Sequence, residues 1–154
     1  MSPLSTTSSA RVVAAALVLA LVPLVAGCGS RQDDYCAAVK DHQSELTDIT
    51  SGSGNDALIR ALPIFEDLQS KAPDDIVDDW QQVVGRIKAL DQALHDAGVD
   101  PATYDRNHPP AGLGADDKAR IDAAARELGS QATVQALLSL DQEARDVCQT
   151  PLTL

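Results

Sequence analysis

Carboxylates dominate the first segment of the chain that could do chemistry. Residues 74–79 read Asp-Asp-Ile-Val-Asp-Asp, and a helix there would place carboxylates at positions i and i+4 on one face. Oxygen ligands at that spacing can hold a divalent cation. The alternative is a solvated acidic first turn, stabilised by the positive end of the helix dipole.

A second candidate lies between residues 99 and 114, where three prolines and two glycines predict a long loop. The polar residues grouped in this loop are Tyr104, Asp105, Arg106, Asn107 and His108. Stiff polar loops often carry recognition residues. Tyr104, Asp105, Arg106 and His108 are therefore a candidate recognition site, and an ordinary solvent-facing connector is the alternative.

Other catalytic and cofactor patterns are missing from the sequence. His42, His95 and His108 fall on three different predicted elements, with no His-x-x-His or Glu-x-x-His pair. There is no glycine-rich phosphate loop and no G-x-S-x-G motif. We therefore predict no catalytic residue, no metal site and no cofactor.

The first 27 residues have the layout of an export leader. Met1–Arg11 is polar with one positive side chain, and Val12–Val25 is apolar apart from Pro23. This run of about 14 residues is shorter than the roughly 20 that a membrane-spanning helix needs. A charged start followed by a short apolar run is typical of a secretory signal.

The leader closes on Val25-Ala26-Gly27-Cys28, which resembles the lipobox of bacterial lipoproteins. The resemblance implies cleavage between Gly27 and Cys28 and a diacylglyceryl group on the Cys28 thiol. It also implies a protein that reaches the membrane through this lipid, on the extracytoplasmic face of the cell membrane. The alternative is a buried N-terminal helix with a chance cysteine.

With Cys28 assigned to lipid, Cys36 and Cys148 remain. Export implies an oxidising compartment, so these two are expected to form a disulfide that closes nearly the whole mature domain. Two free thiols or a metal-binding pair are the alternatives. The mature part also resembles small uncharacterised actinobacterial lipoproteins, in Asp34-Tyr35-Cys36 and Val147-Cys148, and this resemblance points to no known activity.

The resemblance to the lipobox implies a signal peptide over 1–27 and a lipidated tether over 28–32, and periodicity and breaks predict a helical domain over 33–154. The first helix is expected from Asp33-Asp34 to the break at Ser51–Gly54. Pro63 should kink or divide the second helix. The third is expected from Pro73 to Gly98, with an apolar stripe that includes Trp80.

A fourth helix is predicted from about Ala115 to Leu128, and Ser130 should cap a fifth that ends before Pro151. The residues expected on the buried side of this last helix are Val134, Leu137, Leu138, Ala144 and Cys148. The predicted fold is therefore all-α, a four- to five-helix bundle closed by one disulfide.

Net charge and aromatic content reduce the number of function classes that fit this chain. The chain has 23 acidic and 12 basic side chains and a net charge of −11, which disfavours binding to nucleic acid. Aromatic residues make up 3%, too few for a platform that stacks on bases or sugars. We expect a non-catalytic binding or interaction module, with a cell-envelope enzyme acting on wall or lipid substrates, or a structural spacer, as alternatives.

Overall fold

The computed structural model describes residues 29–52 and 54–152, and every regular element within them is an α-helix. The helices are α1 Gly29–Ser51, α2 Ala57–Arg60, α3 Leu62–Lys71, α4 Val77–Asp96, α5 Ala115–Leu128 and α6 Gln131–Asp146. The all-helical prediction is confirmed. These six described helices exceed the predicted four to five because Pro63, in the first turn of α3, divides the second helix. No described helix is long and apolar enough to cross a membrane.

Helix α4 lies at the centre of the bundle and contacts α2, α3, α5 and α6, while α1 packs on α2 and α3. Its Trp80 is fully buried, and the Trp80 ring centroid lies 5.6 Å from that of Phe65 and 6.5 Å from that of Tyr35. The indole Nε1 donates a hydrogen bond to the Tyr35 hydroxyl at 3.2 Å. Burial raises the pKa of Tyr35 to about 12, with a smaller contribution from the charge of Glu143.

The predicted disulfide is confirmed. Cys36 and Cys148 are bonded, with their Cα atoms 4.9 Å apart. Beyond α6 the chain turns back, and Leu152 is fully buried in the core while its backbone N–H donates to Asp141. The buried residues of the described chain all fall between Tyr35 and Leu152, so the described core belongs to the predicted helical domain.

Two helices begin elsewhere than predicted. Helix α1 begins at Gly29, four residues before the predicted start at Asp33, so Gly29–Gln32, expected as a tether, are helical. Arg31 Nη1 lies 3.1 Å from Asp74 Oδ1. Helix α4 begins at Val77, four residues after Pro73. Ala72 and Ile76 are both buried, and the Ile76 N–H donates to the Pro73 carbonyl. The segment between α3 and α4 is therefore a tight turn that packs on the core.

Helix α6 is capped by Ser130 as predicted, since the Ser130 hydroxyl accepts from the backbone N–H of Thr133. Its predicted buried face is confirmed in part: Ala144 is buried and Leu137 and Cys148 pack against the core, whereas two residues are wrong. Val134 and Leu138 are 45% and 61% exposed. The buried residues of α6 are Thr133, Ala136, Leu140 and Ala144. The face is rotated toward Thr133 because its hydroxyl is satisfied inside, donating to the Glu127 carbonyl at 3.0 Å.

Gly98 ends the turn after α4, as predicted. Its φ is +65°, and its N–H donates to the His95 carbonyl while the Val99 N–H donates to the Leu94 carbonyl. These two bonds form a Schellman motif, in which glycine avoids the cost of a left-handed backbone.

Gly98→Ala is expected to lower the free energy of unfolding by about 1 kcal/mol, because a Cβ is disfavoured at positive φ. Gly85→Ala, within α4, is the control and should raise that free energy by about 0.5–1 kcal/mol. A Cβ would meet nothing within 4 Å at either position, so the contrast isolates the backbone effect. Urea denaturation measures the free energy of unfolding of both variants, and equal shifts in the two would contradict this prediction.

Candidate functional site

A cavity of about 320 Å³ lies beneath the long loop over residues 99–113, called the 99–113 loop, at the end of α4 that contains Leu90 and Leu94. Its aliphatic lining comes from α2, α4, the loop and α5: Ile59, Leu90, Leu94, Pro101, Ile121 and Ala125. Leu94 and Ile121 are buried but stand apart from the main core cluster. The loop therefore covers a small apolar chamber of its own.

The loop over this chamber is shaped by its own aspartates. The Asp100 carboxylate accepts from the N–H of Ala102 at 2.9 Å, and the Asp105 carboxylate accepts from the N–H of Asn107 at 2.8 Å. Such side-chain turns fix irregular backbone without a helix or strand. Arg106 fastens the loop to α5, where its Nε lies 3.1 Å from Asp122.

Tyr104 is half-buried and lines the cavity. Its hydroxyl oxygen is sealed from solvent and makes no hydrogen bond to any residue in the described part of the chain. Leaving a buried hydroxyl without a partner costs about 1–3 kcal/mol. An orphaned polar atom of this kind in a folded protein calls for a reason, and the residue that carries it is one of those that line the cavity.

The charged residues and the histidine in and beside the cavity lining, called its mouth below, are paired with each other: Asp105, Arg106, His108, Lys118 and Asp122. Asp122 lies between Lys118, at 2.6 Å, and Arg106. The hydrogen bond from Lys118 is the main cause that lowers the pKa of Asp122. At Asp105 the hydrogen bond from His108, followed by that from the Asn107 N–H, lowers the pKa in the same way. The mouth is therefore balanced in charge near neutral pH.

The structure brings together part of the recognition site predicted from sequence. Tyr104, Asp105 and Arg106 line the cavity, whereas His108 is 84% exposed and only pairs with Asp105. The aliphatic half of the site could not be predicted, because Ile59, Leu90 and Ile121 come from three separate helices. Gly27 and Cys28 lie outside the described residues.

The acidic segment 74–79 does not form the arrangement that a cation would need. Asp74 and Asp75 lie in the turn before α4, so the four carboxylates do not share one helical face. Asp74 pairs with Arg31 instead. Across residues 29–52 and 54–152, no group of three or more His, Cys, Asp or Glu side chains could hold a metal ion.

A second cavity, of about 390 Å³, opens between α1 and α3. His42 Nε2 lies 2.9 Å from Asp67, which also pairs with Lys71. Hydrogen bonds from Lys71 and then His42 lower the pKa of Asp67. Each of these three polar groups has a partner, so this cavity lacks the unsatisfied atom that marks the first one.

Acidic residues also meet at the other end of the bundle, close to the disulfide. Burial is the main cause that raises the pKa of Glu143, and the charges of Asp75 and Asp146 raise it further. A carboxyl whose pKa is raised on folding destabilises the folded state as pH climbs through and above its ordinary range.

Glu143→Gln is therefore expected to be more stable than the native protein at pH 7, with the difference shrinking as pH falls toward 4. Glu45→Gln on the exposed side of α1 makes the same change in net charge and is the control. Thermal unfolding followed by circular dichroism from pH 4 to 8 measures both. A Glu143→Gln variant that is less stable at pH 7, or that shows no pH trend, would refute this expectation.

The cavity under the loop is thus the best-formed candidate site in the described residues: an aliphatic chamber, an unsatisfied hydroxyl and a charge-balanced mouth. Its chemistry suits the binding of a small apolar molecule, because the charged groups around it are already paired. No family model, no curated protein and no solved structure matches this chain.

Proposed function

We propose that this chain is an envelope lipoprotein, held by lipid on Cys28 to the outer face of the cell membrane, whose helical domain is a non-catalytic binding module. The cavity beneath the 99–113 loop is the observation that carries the binding role. Half of its lining residues are aliphatic, and the charged ones, Asp105, Arg106 and Asp122, are all paired. Such a chamber favours holding a molecule over transforming it.

Two features of the folded part fit a lipid-anchored domain. The Cys36–Cys148 disulfide suits the oxidising space outside the cell. Helix α1 begins at Gly29, directly after the residue that would carry the lipid, which would hold the domain close to the bilayer.

The cavity would then face away from the membrane. Arg31, near the start of α1, pairs with Asp74 just before α4, so both helices begin at the anchored end. The cavity contains Leu90 and Leu94 from the far end of α4. At 1.5 Å per residue, this 20-residue helix is about 30 Å long. A ligand could therefore reach the cavity from the surrounding medium.

Metabolic labelling with a palmitate analogue tests the anchor. The full-length chain should be labelled and should fractionate with membranes, because acyl chains on Cys28 provide the attachment. Cys28→Ser should remove the label, whereas the control Ser44→Ala, on the exposed side of α1, should keep it. Label on the Cys28→Ser chain would reject the assignment.

A further inference from the structure

We propose that the cavity beneath the 99–113 loop takes an uncharged, mainly hydrocarbon molecule of one or two rings that carries one hydrogen-bond acceptor, with the Tyr104 hydroxyl donating to that acceptor. The inference deepens the binding role proposed above and rests on it. It says nothing about the lipid anchor, which is tested separately.

Size sets the first limit on the ligand. Ligand cavities in proteins measure about 300–1,000 Å³, so a cavity of about 320 Å³ lies at the small end. An aliphatic cavity of about 150 Å³ is already large enough for benzene. Two fused rings, or a branched chain of similar bulk, match the larger volume here.

Charge sets the second limit. Arg106 and Lys118 are both held by Asp122, and Asp105 is held by His108 and a backbone N–H. A charged ligand would have to break one of these pairs to find a counter-ion. A neutral ligand leaves them intact, and it avoids repulsion from a chain with a net charge of −11.

The third limit is the unsatisfied hydroxyl. Tyr104 lines the chamber, and its hydroxyl has no partner among the described residues while being closed to water. A ketone, ester or alcohol oxygen would accept the hydrogen bond that is otherwise lost. Because the hydroxyl oxygen is covered, the loop must shift slightly for a ligand oxygen to reach it, and Arg106 is the side-chain link between the loop and α5.

The test uses two bicyclic molecules of equal size, the ketone 1-tetralone and the hydrocarbon tetralin, titrated into residues 28–154 carrying Cys28→Ser, the part left by the cleavage proposed above. Amide shifts in a heteronuclear NMR spectrum report binding and its location. We expect both probes to shift residues of the loop and α5, with 1-tetralone binding about fivefold tighter, as one net hydrogen bond provides. Tyr104→Phe should bring 1-tetralone down to the affinity of tetralin without changing tetralin itself.

Two further variants complete the test. Ala125→Leu fills the chamber from α5 and should abolish binding of both probes, whereas Ala123→Leu on the exposed side of α5 should not. Tyr104→Phe without ligand should melt at or above the native temperature, because the hydroxyl it removes has no partner. The proposal is overturned by the absence of binding at millimolar probe, by binding that survives Ala125→Leu, or by a lower melting temperature for Tyr104→Phe. A failed binding test would not affect the conclusion from palmitate labelling, and a failed labelling test would not affect the conclusion about the cavity.

Discussion

Cys36→Ser is expected to lower the free energy of unfolding by about 4–5 kcal/mol, because it breaks the disulfide that closes the domain. The bond joins residues 112 apart, so it closes almost the whole domain into one loop. Cross-linking a loop of about 100 residues removes enough freedom from the unfolded chain to contribute about 4.7 kcal/mol. A domain of this size has only about 5–15 kcal/mol in total.

A double-variant cycle gives this expectation its control. Cys36→Ser, Cys148→Ser and the double variant all break the same bond, so their unfolding free energies in urea should agree within about 1 kcal/mol. Reducing the native protein should reproduce the same loss. Either single variant retaining native stability would show that the closed loop does not restrain the unfolded chain.

Trp80→Ala is expected to cost about 3–5 kcal/mol, the usual range for a buried large aromatic. Trp80 is fully buried between Tyr35 of α1 and Phe65 of α3. Its removal opens a cavity at the centre of the bundle and also takes away the indole N–H that the Tyr35 hydroxyl accepts from. Denaturation in urea, followed by far-ultraviolet circular dichroism, measures the loss.

Gln81→Ala, the neighbouring exposed residue of α4, should change stability by less than about 0.5 kcal/mol. Trp80→Phe should fall between the two, because it keeps part of the packing and loses the hydrogen bond. Fluorescence offers an independent check, since iodide should not quench a buried indole. Full quenching in the folded protein would mean that the apolar stripe of α4 is an exposed surface.

Local signals were sufficient to predict several elements. Helix α5 runs from Ala115 to Leu128, as predicted, because Gly114 and Gly129 flank it and Ser130 begins the next helix. The division at Pro63 follows from a residue that cannot continue a helix. The burial of Trp80 against Phe65 follows from the length of the stripe on α4.

Features set by tertiary packing could not be predicted in this way. The sequence pattern of α6 allows two apolar faces, and a hydrogen bond from Thr133 to the Glu127 carbonyl accompanies the one that is buried. Helix α4 begins at Val77 and not at Pro73 as predicted, because the preceding turn buries Ile76 in the core. The cavity is harder still, because its walls come from segments between residues 55 and 125 that meet only after folding.

For the lipid anchor proposed above, the position of the disulfide also determines how the domain could be released from a membrane. A protease that cut once in the exposed 99–113 loop would leave two fragments joined through Cys36 and Cys148. Both fragments would stay attached to a lipid on Cys28. Only a cut before Cys36 would separate the domain from that lipid in one step. The chain there is helical from Gly29 onwards, and proteases need extended backbone. Release after a nick in the loop would therefore require a reductant as well as a protease.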